Sequence, residues 1–546
     1  MGYYDAVVIG GGHNGLVAAC NLALRGLRVA VFEQREYVGG MASSPELWPG
    51  FRVPIGAYVL SLFSRSVGAE LGVLGRLKLI PKDPGMTVLL DGGRVLSTWS
   101  NVGKTVEEVR RFSELDAKAY VEWSRMWGVL TEVFDVAYSN PPLDVWELLD
   151  STGRILRLAR LRYGALLDDL TWIPLASASR LLDEFFESSE VKALLVEDAV
   201  VGELAAPSSP GTALVLAHHY MGDVTGVRGQ WAYVAGGIGR LSEVLAERCK
   251  ELGVEVHLGS RVEEIIVRDG VVRGVKVNGR VYEAKFVLSS LDARVTMLEL
   301  IPEDIIDKSL RRRLKSLKSP GASSKVVIAV RDLPRPRGGY AEYRDRIYRS
   351  STLTIPSVEY VEKAYRDAIT KGYSVEPWMS INTQSYLDPS VAPEGWHIIS
   401  IFVQYTNYDN PRGWSEESRK ELLESVYNVL DSYFEDLGGR VEKVLVLTPK
   451  DYENLFKTPG GHIFHLNMTL DRLWINRPLP ELSKYRTPIK NLYLCGSSTH
   501  PGGGVTGLPG YLASKTLLED IGLVKRRKLN SIDIVLEKLK KRLKLI

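Results

Sequence analysis

Cysteine is scarce in this chain: three in 546 residues, Cys20, Cys249 and Cys495, far apart in sequence and each in an apolar setting. No C-x-x-C occurs, so the dithiol that disulfide-exchange chemistry needs is missing. The three are expected as separate buried thiols in a reducing compartment. No apolar run reaches the roughly 18 residues that a membrane-spanning helix requires. An apolar strand begins by Asp5, leaving no room ahead of it for a secretory leader, and a cytoplasmic location is expected. An excess of one charge is also lacking: 69 Lys and Arg stand against 66 Asp and Glu, a net charge of +3. No nucleic-acid partner is expected. His462 and His465 lack a third spaced ligand, so no metal site is expected. In an extended segment the two would face opposite sides, because strand side chains alternate.

What is present begins at Gly10-Gly11-Gly12-His13-Asn14-Gly15, which follows the apolar run Ala6-Val7-Val8-Ile9 and precedes the helical Leu16-Val17-Ala18-Ala19. This is the strand–turn–helix setting in which G-x-G-x-x-G binds a dinucleotide. Gly10 permits the tight turn, Gly12 lets a pyrophosphate approach the backbone, and Gly15 lets helix and strand pack closely. The free N–H groups at the helix start, Asn14 among that first turn, hold the phosphate. A second strand, residues 28–32, ends at Glu33, placed to accept hydrogen bonds from a ribose. Gly39-Gly40 and Ala42 follow as a further close backbone approach. At the other end, the strand-like Asn491 to Cys495 runs into Gly496 and a second glycine-rich loop. That loop carries His500, Val505 and Thr506 and opens a helix through Leu518. One dinucleotide contacted by both ends of a long chain points to FAD rather than NAD, and no separate NAD(P) site is found.

Asp5 to Ala42 resembles the flavoprotein family that includes phytoene desaturases and amine oxidases, and Ser498-Thr499-His500-Pro501-Gly502 is similar to its phytoene desaturase side. Gly460-Gly461-His462-Ile463-Phe464-His465, Leu470-Asp471-Arg472-Leu473 and Tyr485-Arg486-Thr487-Pro488 resemble the group called pyridine nucleotide-disulfide oxidoreductase domain-containing protein 2. The resemblance implies an α/β fold: a Rossmann-like FAD-binding domain from three segments, 1–95, 225–300 and 450–523, and an interleaved α+β substrate domain, 96–224 and 301–449. It implies that Val262 meets the adenine, that residues 50–58 pass the flavin ring, and that Lys325 opens a strand and holds a water beside flavin N5. A plain loop and a plain surface lysine are the competing readings of the last two. Many amine oxidases carry arginine after the double glycine, and Met41 stands there instead, which weakens the amine oxidase analogy.

The length itself calls for two interleaved domains. Residues 104–220 read as helix, with no compact acid–base constellation, walling a cavity. Gly236-Gly237-Ile238-Gly239 opens a helix over 240–252 but is not a second nucleotide site. Residues 262–268, 271–277 and 280–284 form a meander turned by Asp269-Gly270 and Asn278-Gly279. Strands are expected at 325–330 and 397–403, and a helix over 415–437 with Ser415 as N-cap.

From Lys525 to Ile546 nine basic residues face two acids, and Ile532, Val535, Leu536, Leu539, Leu543 and Ile546 share one helical face. Such a basic amphipathic helix, over 524–546, lies on an anionic membrane surface, packs on a second subunit of a homodimer, or docks on its own domain. The expected activity is FAD-dependent removal of hydride from carbon of a small apolar, isoprenoid-like substrate to flavin N5. Lys325, His500 or His465 would place a water or move a proton. Oxygen, quinone or another acceptor would take the electrons. Amine oxidation, a redox-neutral isomerase, and a flavin-binding interaction protein without turnover are the alternatives.

Overall fold

The computed structural model describes residues 3–142 and 172–525. Fourteen of its strands build two sheets. In chain order they are β1 (Tyr3–Ile9), β2 (Val29–Phe32), β3 (Met86–Leu90), β4 (Arg94–Ser97), β5 (Glu255–His257), β6 (Val262–Arg268) and β7 (Val271–Val277). The series continues with β8 (Arg280–Ser289), β9 (Ser323–Val330), β10 (Ser351–Leu353), β11 (Tyr373–Asn382), β12 (His397–Thr406), β13 (Val441–Leu447) and β14 (Leu492–Leu494).

The first sheet runs β5-β2-β1-β8-β7-β6, with β14 added beside β8. β5, β2, β1, β8 and β14 are parallel, which requires crossovers, and β7 and β6 return antiparallel. The meander turns as its sequence demands: Asp269, Gly270, Asn278 and Gly279 all take positive φ, the two-residue hairpin conformation. Helix α1 (His13–Ala23) follows β1 directly. The strand order reverses at β1, which lies between β2 and β8, and a ligand crevice opens at such a point beyond the carboxyl ends of the strands.

The second sheet runs β13-β9-β12-β11-β10-β3-β4 and is antiparallel apart from the β10–β3 pair. Every residue of β9 is buried, as its unbroken apolar run from Val326 to Val330 requires. Four further helices bear on the site or on this sheet: α2 (Glu114–Tyr138), α3 (Thr212–Tyr220), α4 (Gly239–Glu251) and α5 (Glu416–Asp431). Leu422, Val426 and Leu430 of α5 pack on Ile328, Met379 and Ile399 of the sheet. The sixth, α6 (Leu508–Asp520), lies across α1, where a Cβ on Gly510 would meet the Asn14 carbonyl at 2.0 Å.

Several expectations are corrected. The boundary placed at residue 95 falls inside β4, and residues 86–97 belong wholly to the second sheet. Helix α5 starts behind Ser415, as its capping chemistry predicts, but ends at Asp431, with a short strand at Phe434–Glu435 where the helix was expected to continue. All three cysteines are free and buried, as expected, but the sulfurs of Cys20 of α1 and Cys249 of α4 lie 2.6 Å apart. Two helices that bury small faces against each other bring distant thiols together, which sequence spacing does not report. The basic tail lies, from residue 526, outside the described residues.

Candidate active site

The glycine turn after β1, the loop after β8 and the glycine-rich loop before α6 meet at one cavity of about 2050 Å³, counting its solvent-open mouth. At the mouth, the Glu33 carboxylate accepts from the Gly11 amide at 2.7 Å and from the Arg35 amide at 3.0 Å. Burial raises the Glu33 carboxyl above an ordinary glutamate, and the amides of Arg35 and Gly11 pull against that shift. Gln34, Arg35, Ser260, Arg261 and Val262 line the same end.

Deeper in, Gly39 N–H donates to the Gly11 carbonyl at 2.8 Å and docks the double glycine on the turn. The glycines here have different reasons. Gly10 has φ +92° and Gly15 would place a Cβ 2.1 Å from the Gly10 carbonyl, so the fold itself excludes side chains at both. At Gly12, φ is −69° and a Cβ would meet nothing closer than the Gly39 carbonyl at 4.0 Å. Protein packing does not require glycine there, and the space beside it stays open to an occupant of the cavity. No side chain caps α1 at this end and its first turn carries no acid. His13 Nε2 and Asn14 Oδ1 are buried and find no hydrogen-bond partner among the described residues. Both residues line the cavity, while Asn14 Nδ2 donates to Ser497 Oγ at 3.1 Å. An open glycine approach, free helix N–H groups, orphaned polar atoms and a ribose-height carboxylate fit the dinucleotide and pyrophosphate of FAD.

Beyond the phosphate cradle the walls change. Met41, Gly56, Ala57, Leu62, Phe464, His465, Gly504 and Val505 surround the next part of the cavity. Gly56 is forced by its neighbour, since a Cβ would sit 2.3 Å from the Met41 carbonyl. His465 is not in an extended segment, as expected, but closes a turn: its N–H donates to the His462 carbonyl at 3.0 Å and its φ is +65°. Burial lowers its pKa to about 4, so the ring is neutral at physiological pH. His462 points away, its Nε2 3.6 Å from Glu203.

Of the remaining residues singled out from sequence, Gly10, Gly12, Asn14, Glu33, Gly39, Gly40, Val262 and Val505 line the cavity. Gly15, Ala42, Gly496 and Thr506 lie behind it. Gly496 packs on the Ser290 carbonyl, Ala42 accepts from Ser242, and the Thr506 hydroxyl accepts from the Leu508 amide at the start of α6. Lys325 is also behind the lining: its Nζ donates to the Gly56 carbonyl at 2.8 Å and sits 3.8 Å from the Tyr58 ring centroid. Complete burial holds its pKa well below that of a free lysine. The expectation that His500 reaches the reacting centre is corrected. It does not line the cavity, and its Nε2 meets the Ala137 carbonyl at the end of α2, 3.0 Å away. The unpaired carbonyls of a helix end attract a ring N–H.

Two functional groupings were missed. Arg477 is buried, and its guanidinium donates to the carbonyls of Phe464, Asn467 and Ser497, each at 2.8 Å. It thereby ties the His465 turn to the glycine-rich loop. The second corrects the reading that residues 104–220 carry no acid–base constellation. Glu197 and Asp198, on the turn after the helix Ser189–Leu195, line the inner end of the cavity with His219, Trp231, Ser351 and Ser380. Burial raises both carboxyls, and Asp198 adds to the shift of Glu197. Buried Lys82 borders them, its Nζ donating to Asn382 Oδ1 at 2.5 Å and to the Ser351 hydroxyl. Burial lowers Lys82 to about 7. The legible sign was two adjacent acids between Leu194-Leu195-Val196 and Ala199-Val200-Val201.

Comparison with known proteins agrees with this geometry. The family model described as flavin containing amine oxidoreductase matches residues 15–510. The pyridine nucleotide-disulfide oxidoreductase domain-containing protein 2 of Rattus norvegicus is 34% identical over 544 residues, covering 95% of this chain and 94% of its own. A phytoene desaturase (lycopene-forming) of Pseudescherichia vulneris is 24% identical, covering 93% of this chain and 96% of its own. Among solved structures, cyclohexylamine oxidase of Brevibacterium oxydans superposes with a TM-score of 0.56 at 15% identity, over 95% of this chain and 99% of that one.

Proposed function

Because this chain belongs to the flavin containing amine oxidoreductase family and is an FAD-dependent oxidoreductase, we propose that it oxidises a carbon centre of a mainly apolar, isoprenoid-like substrate. When bound, the flavin supplies the acceptor for the hydride. The chain's own residues hold and position. Glu33 would take the ribose hydroxyls, the N–H groups after Gly12 the pyrophosphate, and Val262 the adenine. Met41, Gly56, Gly504 and Val505 would flank the ring.

The observation that carries this reading is the continuity of the cavity. It leads from Glu33 and Val262 past the phosphate cradle to a compartment walled by Leu62, Val201, Phe402, Ile463 and Phe464. A substrate there is screened from water, which suits hydride removal from carbon. Lys325, through the Gly56 carbonyl it holds, fixes the strip of backbone that borders the ring position. His465, with a neutral ring and an unpartnered Nδ1, is the group placed to accept or return a proton. The similarity to a phytoene desaturase supports the apolar part of the substrate.

The test is a visible spectrum of purified protein followed by anaerobic bleaching with isoprenoid and amine candidates. Bound FAD bleached by an isoprenoid supports the reading. FAD bleached by simple amines alone overturns the substrate class, and loaded protein that no carbon donor reduces overturns oxidation.

A further inference from the structure

We propose that the inner end of the cavity is a head-group subsite, in which Glu197, Asp198 and Ser380 receive the hydrogen-bond donor of a substrate whose remainder is apolar. This rests on the oxidoreductase reading above for the placement of the substrate, and it narrows the class. The molecule is an amphiphile ending in a hydroxyl or ammonium, not a plain hydrocarbon.

The two acids are only 6% and 8% exposed. Burying carboxyls is unfavourable unless hydrogen bonds or charges compensate, and adjacent acids aggravate each other. Compensation from the protein is incomplete. Glu197 is favoured by the Ser380 hydroxyl, by His219 and by Lys82. The Lys82 ammonium, however, already donates to Ser351 and Asn382 and stands 4.9 Å over the Tyr233 ring. Among the described residues, the Asp198 carboxyl accepts no hydrogen bond that would offset its burial. Two acids beside one engaged cation, with the Tyr58 and Ser380 hydroxyls at hand, present carboxyl oxygens able to accept from an occupant, and they line the same cavity as the apolar walls.

Purely structural acids would be expected to hydrogen-bond main-chain amides. Asp116 does so elsewhere in this chain, accepting from the amides of Glu187 and Ser188 at 2.9 Å each. Asp198 makes no such bond among the described residues and faces the cavity instead. Trp231, stacked on His219 with ring centroids 6.2 Å apart, adds a flat apolar wall beside the acids. An alkyl chain that lies along Leu62 and Phe402 and ends in a donor would satisfy both kinds of surface.

The experiment titrates FAD-loaded protein with n-octylamine, 1-octanol and n-octane, reading the visible flavin spectrum and the melting temperature without turnover. The amine or the alcohol is expected to bind more tightly than octane. Glu197→Gln, Asp198→Asn and the milder Ser380→Ala should each weaken that probe about tenfold and leave octane binding and FAD content unchanged. An amine response identifies a cationic head group, and an alcohol response a neutral one. Equal binding of octane and the head-group probes, or variants that bind as the unaltered protein does, overturns the subsite. Discrimination between probes that never bleach the flavin anaerobically leaves the subsite standing and removes the oxidation reading instead.

Discussion

The sulfurs of the free thiols Cys20 and Cys249 lie 2.6 Å apart in the seam between α1 and α4. Each also points at a main-chain carbonyl of the opposite helix, Leu245 and Leu16 respectively. Oxidation of the pair by molecular oxygen would remove two protons and two electrons and form one S–S bond. Protein exposed to air and then unfolded in an alkylating reagent should take up one label, on Cys495, and three after reduction. Three labels without reduction would show that the contact stays unbonded. The bond would close a loop spanning 229 positions and stabilise the fold by at most about 5 kcal/mol.

Gly12 and Gly15 should separate binding from folding. Gly12→Val is expected to yield folded protein without FAD, because the side chain enters space that the fold leaves open. Gly15→Ala drives a methyl against the Gly10 carbonyl and should lower the melting temperature of apoprotein. Flavin absorbance and thermal unfolding read the two effects. Full flavin occupancy in Gly12→Val protein would remove this loop from the binding site.

Glu33→Ala should weaken FAD retention about tenfold, since it removes an acceptor from the ribose end and also frees the Gly11 amide. Equilibrium dialysis of the flavin measures it. An unchanged affinity would mean that the carboxylate only braces the turn.

The inner acids make apoprotein stability depend on pH in a stated direction. Their folded pKa values are raised, so the folded state keeps protons that the unfolded chain has released. That contribution is present below the unfolded pKa near 4 and is lost as pH rises through the raised folded values. Lys82, lowered to about 7, acts the other way, and stability from it grows as pH climbs from about 7 toward 10. The stability of Glu197→Gln relative to the unaltered apoprotein should therefore increase between pH 5 and pH 8. A difference that does not vary with pH would place the titration elsewhere.

Lys325 and His500 should behave differently. Lys325→Met keeps FAD but, by releasing the Gly56 carbonyl, should slow turnover about a hundredfold. His500→Asn, behind the cavity lining, should leave turnover within a few fold and cost about 1 kcal/mol of stability. The opposite ranking would restore His500 to the reacting centre.

What the sequence disclosed was local. The Gly10 to Gly15 turn, the Asp269-Gly270 and Asn278-Gly279 hairpins and the Ser415 cap are each determined within a few residues by backbone freedom or a single hydrogen bond. What it concealed was convergent. β3 and β4 are not picked out as strands from sequence, and only pairing with residues 351–353 assigns them to the second sheet. Lys82, Glu197 and Ser380 come from three separate segments, so no spacing announces them. His500 lies in the glycine-rich loop, but its side chain turns toward the end of α2, a choice made by packing rather than composition.

The neighbour relations of the first sheet also set a schedule for synthesis. β1 pairs with β8, β8 with β14, and α1 is covered by α6, so the earliest strand waits for residues 283–289 and the earliest helix for residues beyond 507. At roughly 5–20 residues per second, the ribosome exposes the glycine turn about half a minute or more before its last partner emerges. A chain stopped short of residue 505 would carry the whole N-terminal fingerprint yet lack a wall of the cradle, leaving the β8 edge open to aggregation. Yellow colour in a preparation would then count only molecules translated past that point, and a chaperone that shields β8 meanwhile would raise the yield of flavin-loaded protein.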